Sequence, residues 1–210
     1  LLVSIPVVRG CNQECLFCGG SRSAYRSAYG RDGVELVPVH VVLDHFQRAA
    51  GSGMAGVKLF GDLRLGGASY QDELIAGLSA MPEKLDLYLE LFWPADRAWL
   101  QRYREVAADM HLSLSPESAQ PELRRLHGKR YPNQALIDLA RDCRELDIGA
   151  WFFFTYLLPG HTPDLLAGEL TFLDELLRAE PEGAAMALPY LFMDPAAPLF
   201  ERPEAHGFAI

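Results

Sequence analysis

The sequence predicts an α/β fold built from six βα units. Strand-sized apolar runs alternate with helical patterns along all 210 residues. Such repeats imply parallel strands joined by right-handed crossovers. Half of the residues are hydrophobic, enough for one packed domain of this length. Six units are too few to close an eight-stranded barrel. A loop holding three cysteines follows the first strand directly, which places it at the C-terminal end of the strands, where barrels of this kind carry their chemistry.

Strands are predicted over 1–8, 56–60, 85–93, 110–115, 148–158 and 184–192. Helices are predicted over 38–50, 70–80, 96–107, 133–146 and 164–178. Pro38 suits the first turn of its helix, and Asp96 suits an N-cap. The aromatic run from Trp151 to Phe154 reads as strand core, with alternate residues inward. Residues 21–38, rich in Ser, Arg, Tyr and Gly, read as a loop.

The net charge is −9, spread along the chain, which argues against a nucleic-acid footprint of clustered Lys and Arg. No apolar run is long enough to span a bilayer, and no signal marks secretion, so a cytoplasmic location without a membrane partner is expected. The chain starts inside a strand. Residues 1–210 are therefore expected to be one domain of a longer protein.

Cys11, Cys15 and Cys18 are spaced C-x3-C-x2-C. Three thiolates on one short loop can grip three corners of a [4Fe–4S] cubane and leave one iron open to a cofactor or substrate. A structural zinc site would need a fourth ligand, usually from a second pair, and the remaining cysteine, Cys143, lies far off in a helical pattern. Cys143 reads as a buried structural thiol.

This spacing resembles the signature of the radical S-adenosylmethionine superfamily, and other landmarks agree. Phe17 stands before the third cysteine, where that superfamily often carries an aromatic residue. Ser113-Leu114-Ser115-Pro116-Glu117-Ser118 is similar to the family's G-x-E-S region. Leu123 to Tyr131 is similar to its L-x-x-M-x-K-G turn, and Leu157 to Asp164 to its G-L-P-G-E-T-x-E-D segment. The resemblance implies a partial (βα)6 TIM-like barrel, a [4Fe–4S] cluster on Cys11, Cys15 and Cys18, and S-adenosylmethionine near Ser113 and Glu117.

The chain departs from the family at the end of its second predicted strand. Gly-Gly-Glu usually stands there and holds the ammonium of S-adenosylmethionine. Here Phe60-Gly61-Asp62 stands instead. Gly61 and Asp62 are the expected cofactor contacts, while the Phe60 ring stands where backbone should approach the methionine tail. If the cofactor does not chelate the open iron, a carboxylate of the following loop is the expected ligand, and Glu35 is preferred to Asp32.

The start of the loop and the expected missing region resemble the cobalamin-binding branch of the superfamily. The departures resemble enzymes of that branch that methylate C2 of tryptophan in thiopeptide antibiotic biosynthesis. That implies cobalamin as a further cofactor, a preceding cobalamin domain and tryptophan as the small-molecule substrate. Indole C2 is itself nucleophilic, so a cobalamin-borne methyl group can be delivered without a 5′-deoxyadenosyl radical while a base removes the N1 proton. Tyr70 is the expected base, and Tyr156 and Tyr190 are expected to line the pocket. Two rivals follow from the same resemblance: methylation of an unactivated carbon by a 5′-deoxyadenosyl radical, and an RNA-modifying methylthiotransferase.

Overall fold

The computed structural model describes residues 1–156, 158, 160–180, 183–188 and 194–207. In chain order the elements are β1 (Leu2–Pro6), β2 (Val8–Arg9), α1 (Arg22–Tyr29), β3 (Glu35–Leu36), α2 (Val39–Gly51), β4 (Gly56–Phe60) and α3 (Gly67–Ser79). They continue with β5 (Asp86–Leu91), α4 (Arg97–Arg104), β6 (Met110–Glu117), α5 (Pro121–Leu126), α6 (Asn133–Glu145), β7 (Gly149–Thr155), α7 (Pro163–Ala179), β8 (Ala184–Leu188) and α8 (Pro198–Glu201).

Six strands form one parallel sheet in the order β1-β4-β5-β6-β7-β8. Each major strand neighbours its sequence successor, the order of a barrel rather than of a doubly wound sheet. The architecture is a partial TIM-like barrel, as expected.

Period-2 alternation divides each strand into two faces. One face carries Val57, Leu59, Leu87, Leu89, Leu112, Leu114, Phe152 and Phe154, all buried. Val42, Phe46, Leu74, Leu100, Leu139 and Phe172 on the helices belong to the same core. The other, concave face carries Lys58, Phe60, Tyr88, Glu90, His111, Ser113 and Trp151, which keep contact with solvent. The interior of the partial barrel is thus polar and aromatic rather than filled with aliphatic layers.

Two expectations are corrected. The predicted strand 1–8 is two strands. β1 ends at Pro6, which has no N–H to donate and sits on the sheet edge. The chain then turns into β2, which pairs antiparallel with β3. This small ribbon closes the base of the cysteine loop. Residues 21–38, expected to be a loop, contain α1. Ser21 caps it by accepting the Ala24 N–H at 3.3 Å, and Gly30 ends it in the left-handed conformation at φ 63°. Its Arg22 and Arg26 both clasp Asp32. The helix is held by caps and surface charge with one buried residue, Ala24, so its sequence lacks an apolar stripe.

Cys143 on α6 is fully buried in the core. Burial disfavours the thiolate and raises its pKa beyond the ordinary range. Replacing Cys143 by Ser puts a hydroxyl among apolar groups and should lower stability by about 2 kcal/mol. A urea midpoint that falls while iron content stays constant is the expected result; an unchanged midpoint would show that the thiol contributes nothing to packing.

Candidate active site

β1 and β2 deliver the chain to the cysteine loop at the C-terminal end of the sheet. Gly10 opens the loop at φ 82°, and a Cβ there would lie 2.4 Å from the Gly33 carbonyl oxygen. Only glycine lets the two ends of the ribbon approach so closely.

The three thiols lie within electrostatic reach of one another, and none is in a disulfide. The Gln13 N–H donates to Cys11 Sγ and the Gly20 N–H to Cys18 Sγ, each at 3.3 Å. Such N–H to sulfur bonds are one of the levers that stabilise thiolates on a cluster. Burial pushes all three thiols up, Cys15 to about 11, while Lys129 works in the opposite direction at Cys15 and Cys18. Phe17 lies tilted against His127, with ring centroids 5.6 Å apart.

Three free thiols on one short loop are the donors a cubane takes, one thiolate to each of three irons. Among the described residues, no three His, Cys, Asp or Glu side chains converge on a single-ion site. A tetrahedral zinc with bonds of about 2.3 Å would need sulfurs about 3.8 Å apart. A cubane takes its thiolates on different irons and spaces them more widely. Cys11, Cys15 and Cys18 would hold three irons.

The C-terminal segment closes over this loop. The Gly19 N–H donates to Asp194 Oδ2 at 3.0 Å, the Asp194 N–H to the Phe17 carbonyl at 3.2 Å, and the Leu199 N–H to the Leu16 carbonyl at 2.8 Å. Lys129 approaches from the other side. Its side chain is 11% exposed and its Nζ donates to Glu117 Oε1 at 2.6 Å and to the Ser115 carbonyl. Burial opposes its charge, but Glu117 foremost keeps its ammonium above the ordinary lysine range.

All of the expected site residues except Tyr190 are among the described residues. Glu117 lies at the end of β6 at φ 70°, with one oxygen on Lys129 and the other accepting the Thr155 hydroxyl at 3.1 Å. Ser113 is on the concave face, in register with Glu90 and Trp151. Gly61 has φ 96°, and a Cβ there would lie 2.5 Å from the Val8 Cβ. Its N–H donates to Glu90 Oε2 at 2.8 Å.

Asp62 is fully buried and engaged inside the protein. It caps a short 3-10 turn through the Arg64 N–H, accepts the Phe92 N–H at 2.8 Å, and pairs with the Arg64 guanidinium at 2.6 and 2.8 Å. Arg64 in turn lies 4.3 Å over the Trp93 ring and donates to the Trp93 and Pro94 carbonyls. This network ties the end of β4 to the end of β5.

Glu35 is in β3, its carboxylate paired with Arg31 at 2.9 Å and 65% exposed. Asp32 is held at about 2 by its bond to Arg22, with Arg26 adding to it. The Tyr70 hydroxyl donates to the Val37 carbonyl at 2.9 Å, and burial raises its pKa. That bond fastens α3 to the segment between β3 and α2. Tyr156 lies beside His161, with ring centroids 6.2 Å apart. Tyr190 lies outside the described residues.

The acid missed by sequence reading is Glu90, which faces Gly61 and lies within electrostatic reach of Cys11. Its signal was a charge in an otherwise apolar strand, Leu87 to Leu91. A cleft of about 490 Å³ lined by Asp109, His111, Arg144 and Trp151 opens at the opposite, N-terminal end of the strands. Stability rather than chemistry belongs to that end of a βα barrel.

The family model described as "Radical SAM superfamily" matches residues 5–173. The chain belongs to the radical SAM superfamily. Its members use a [4Fe–4S] cluster and S-adenosylmethionine. No curated protein sequence matches the chain. Among solved structures, it is similar to the radical S-adenosylmethionine methyltransferase TsrM from Kitasatospora setae with tryptophan substrate and the analogue aza-SAM bound. That likeness has a TM-score of 0.77 at 18% identity and covers 94% of this chain and 37% of TsrM. TsrM with cobalamin and a [4Fe–4S] cluster bound gives 0.76 at 18%, covering 97% and 37%. Methylornithine synthase, PylB, gives 0.65 at 15%, covering 94% of this chain and 56% of that one. At these identities the likeness concerns the radical SAM fold. The chain spans just over a third of TsrM.

Two outcomes follow from this geometry. Replacing Cys11, Cys15 and Cys18 together by Ala should abolish iron, sulfide and the broad visible absorption after anaerobic reconstitution; a full cluster in the triple variant would overturn the assignment. Asp62→Ala should lower stability by about 3 kcal/mol, because it strands the Arg64 charge in a nearly buried site. Chemical denaturation checks this, and a variant as stable as wild type would free Asp62 for a ligand role.

Proposed function

We propose that the chain is the radical SAM core of a cobalamin-dependent methyltransferase that methylates C2 of tryptophan in thiopeptide antibiotic biosynthesis. The observation that carries the reading is the end of β4. Phe60, 41% exposed, occupies the mouth, and Asp62 is turned away into its pair with Arg64. The acid that usually receives the S-adenosylmethionine ammonium is therefore occupied. An altered subsite at the open iron suits a reaction that does not cleave the cofactor to a radical. The likeness to TsrM, which holds tryptophan, cobalamin and a cluster, supports the same choice.

Cobalamin, bound by a domain preceding Leu1, would supply the methyl group and regain it from S-adenosylmethionine. The residues of this chain do the rest. Cys11, Cys15 and Cys18 hold the cluster, and Gly61 and Ser113 present polar groups to S-adenosylmethionine at the mouth. Lys129 keeps Glu117 in place beside them. Glu35 serves as a ligand to the open iron only by leaving Arg31, and Tyr70 as a base only by leaving the Val37 carbonyl. Position and proton transfer are what the protein contributes to cofactor chemistry of this kind.

A turnover mixture of the full-length protein with tryptophan, cobalamin and S-adenosylmethionine tests the reading. The expected products are 2-methyltryptophan and S-adenosylhomocysteine, without stoichiometric 5′-deoxyadenosine. One 5′-deoxyadenosine per methylated product would restore hydrogen abstraction from an unactivated carbon.

A further inference from the structure

The concave face carries a cation and an anion that do not pair. Lys58 on β4 stands opposite Tyr88 on β5, so Glu90 is its diagonal neighbour toward the C-terminal mouth. Diagonal side chains of this kind start about 7–8 Å apart. The Lys58 Nζ lies 4.7 Å over the Phe60 ring, and Glu90 accepts the Gly61 N–H. Among the described residues no carboxylate pairs with Lys58 and no cation pairs with Glu90. Opposite charges on adjacent strands are instead drawn to two sides of a gap.

Aromatic surface borders that gap. Phe60 and Trp151 are each 41% exposed although both face the barrel interior. The register runs Glu90 to Ser113 to Trp151, so Trp151 stands in the same row as Glu90, two strands away. That separation is about 10 Å, with the small Ser113 side chain between them. Tyr88 forms the floor, stacked on His111 with centroids 4.5 Å apart.

We propose that this face binds a free α-amino acid with an aromatic side chain, Lys58 taking the carboxylate, Glu90 the ammonium, and Phe60 and Trp151 the ring. The assignment deepens the reading above and rests on it. A residue within or at the end of a peptide does not offer both a free ammonium and a free carboxylate beside one ring, so the charge pair selects the free amino acid. A group positioned to meet each charge rejects an analogue that lacks it, because the protein charge is then left without its partner. The methionine end of S-adenosylmethionine carries the same zwitterion. The aromatic walls favour the aromatic amino acid, and the experiment separates the two.

Equilibrium dialysis against the cluster-loaded protein would use tryptophan, phenylalanine, tryptamine, which lacks the carboxylate, and indole-3-propionate, which lacks the ammonium. Wild type should bind tryptophan about tenfold to a hundredfold more tightly than either indole analogue. Lys58→Met should reduce tryptophan to the level of tryptamine and leave tryptamine unchanged. Glu90→Gln should do the same with respect to indole-3-propionate, and Lys58→Arg should restore part of the binding. Iron content and thermal melting establish that each variant folds and loads. If wild type binds tryptophan but the variants weaken tryptophan and its analogues by one common factor, the charge pair is not the site and the proposed function still stands. If neither aromatic amino acid binds wild type, both fail. Displacement of tryptophan by excess S-adenosylmethionine, with the cofactor itself weakened in both variants, would give the site to the cofactor and overturn the proposal.

Discussion

Six parallel strands in sequential order bring all their C-terminal ends to one edge, and the cysteine loop leaves from the first of them. Whatever bears on the three thiols must come from that edge. Glu90 at the end of β5, Glu117 at the end of β6 and Thr155 at the end of β7 all arrive there without long-range folding of loops. Lys129 follows α5, and Asp194 follows β8, closing the ring of charge around the loop. The parallel sheet is thus the device that makes a three-cysteine loop into a site.

Electrostatics then sort the carboxylates at this edge. Three thiolates on an iron–sulfur core carry a net negative charge, so an acid near them gains from a cation or a set of N–H donors. Asp62 has Arg64 and Glu117 has Lys129, which neutralise them and fix them in place, while Asp194 accepts the Gly19 N–H. Among the described residues Glu90 has the single N–H of Gly61, and it faces the interior. A carboxylate kept short of partners at the mouth of a barrel is where an incoming cation gains most. The same sorting leaves Lys58 against an aromatic face rather than an acid.

Much of this was legible in the sequence. The cysteine spacing is local, and its chemistry does not depend on the fold. The strands and most helices carried plain periodicities, so the parallel architecture could be read from them. Other features depended on geometry that no single stretch encodes. Asp62 looks like a ligand acid in isolation, because its role rests on Arg64 reaching the carbonyls of Trp93 and Pro94. Glu90 acquires meaning only through the parallel register that sets it against Gly61. The break after Pro6 hides inside a continuous apolar run, and α1 hides in a polar one whose stability comes from Ser21, Gly30 and the clasp on Asp32.

The central claim is that Cys11, Cys15 and Cys18 hold three corners of a cubane at the mouth of the barrel and leave the fourth iron without a thiolate. Mild anaerobic oxidation of the reconstituted protein, followed by electron paramagnetic resonance, tests this most directly. An iron lacking a cysteine ligand is the first to leave a cubane. The account predicts a [3Fe–4S] signal that disappears when ferrous iron is added back under reducing conditions. A cluster that resists the same oxidation, with four irons equally held, would contradict it.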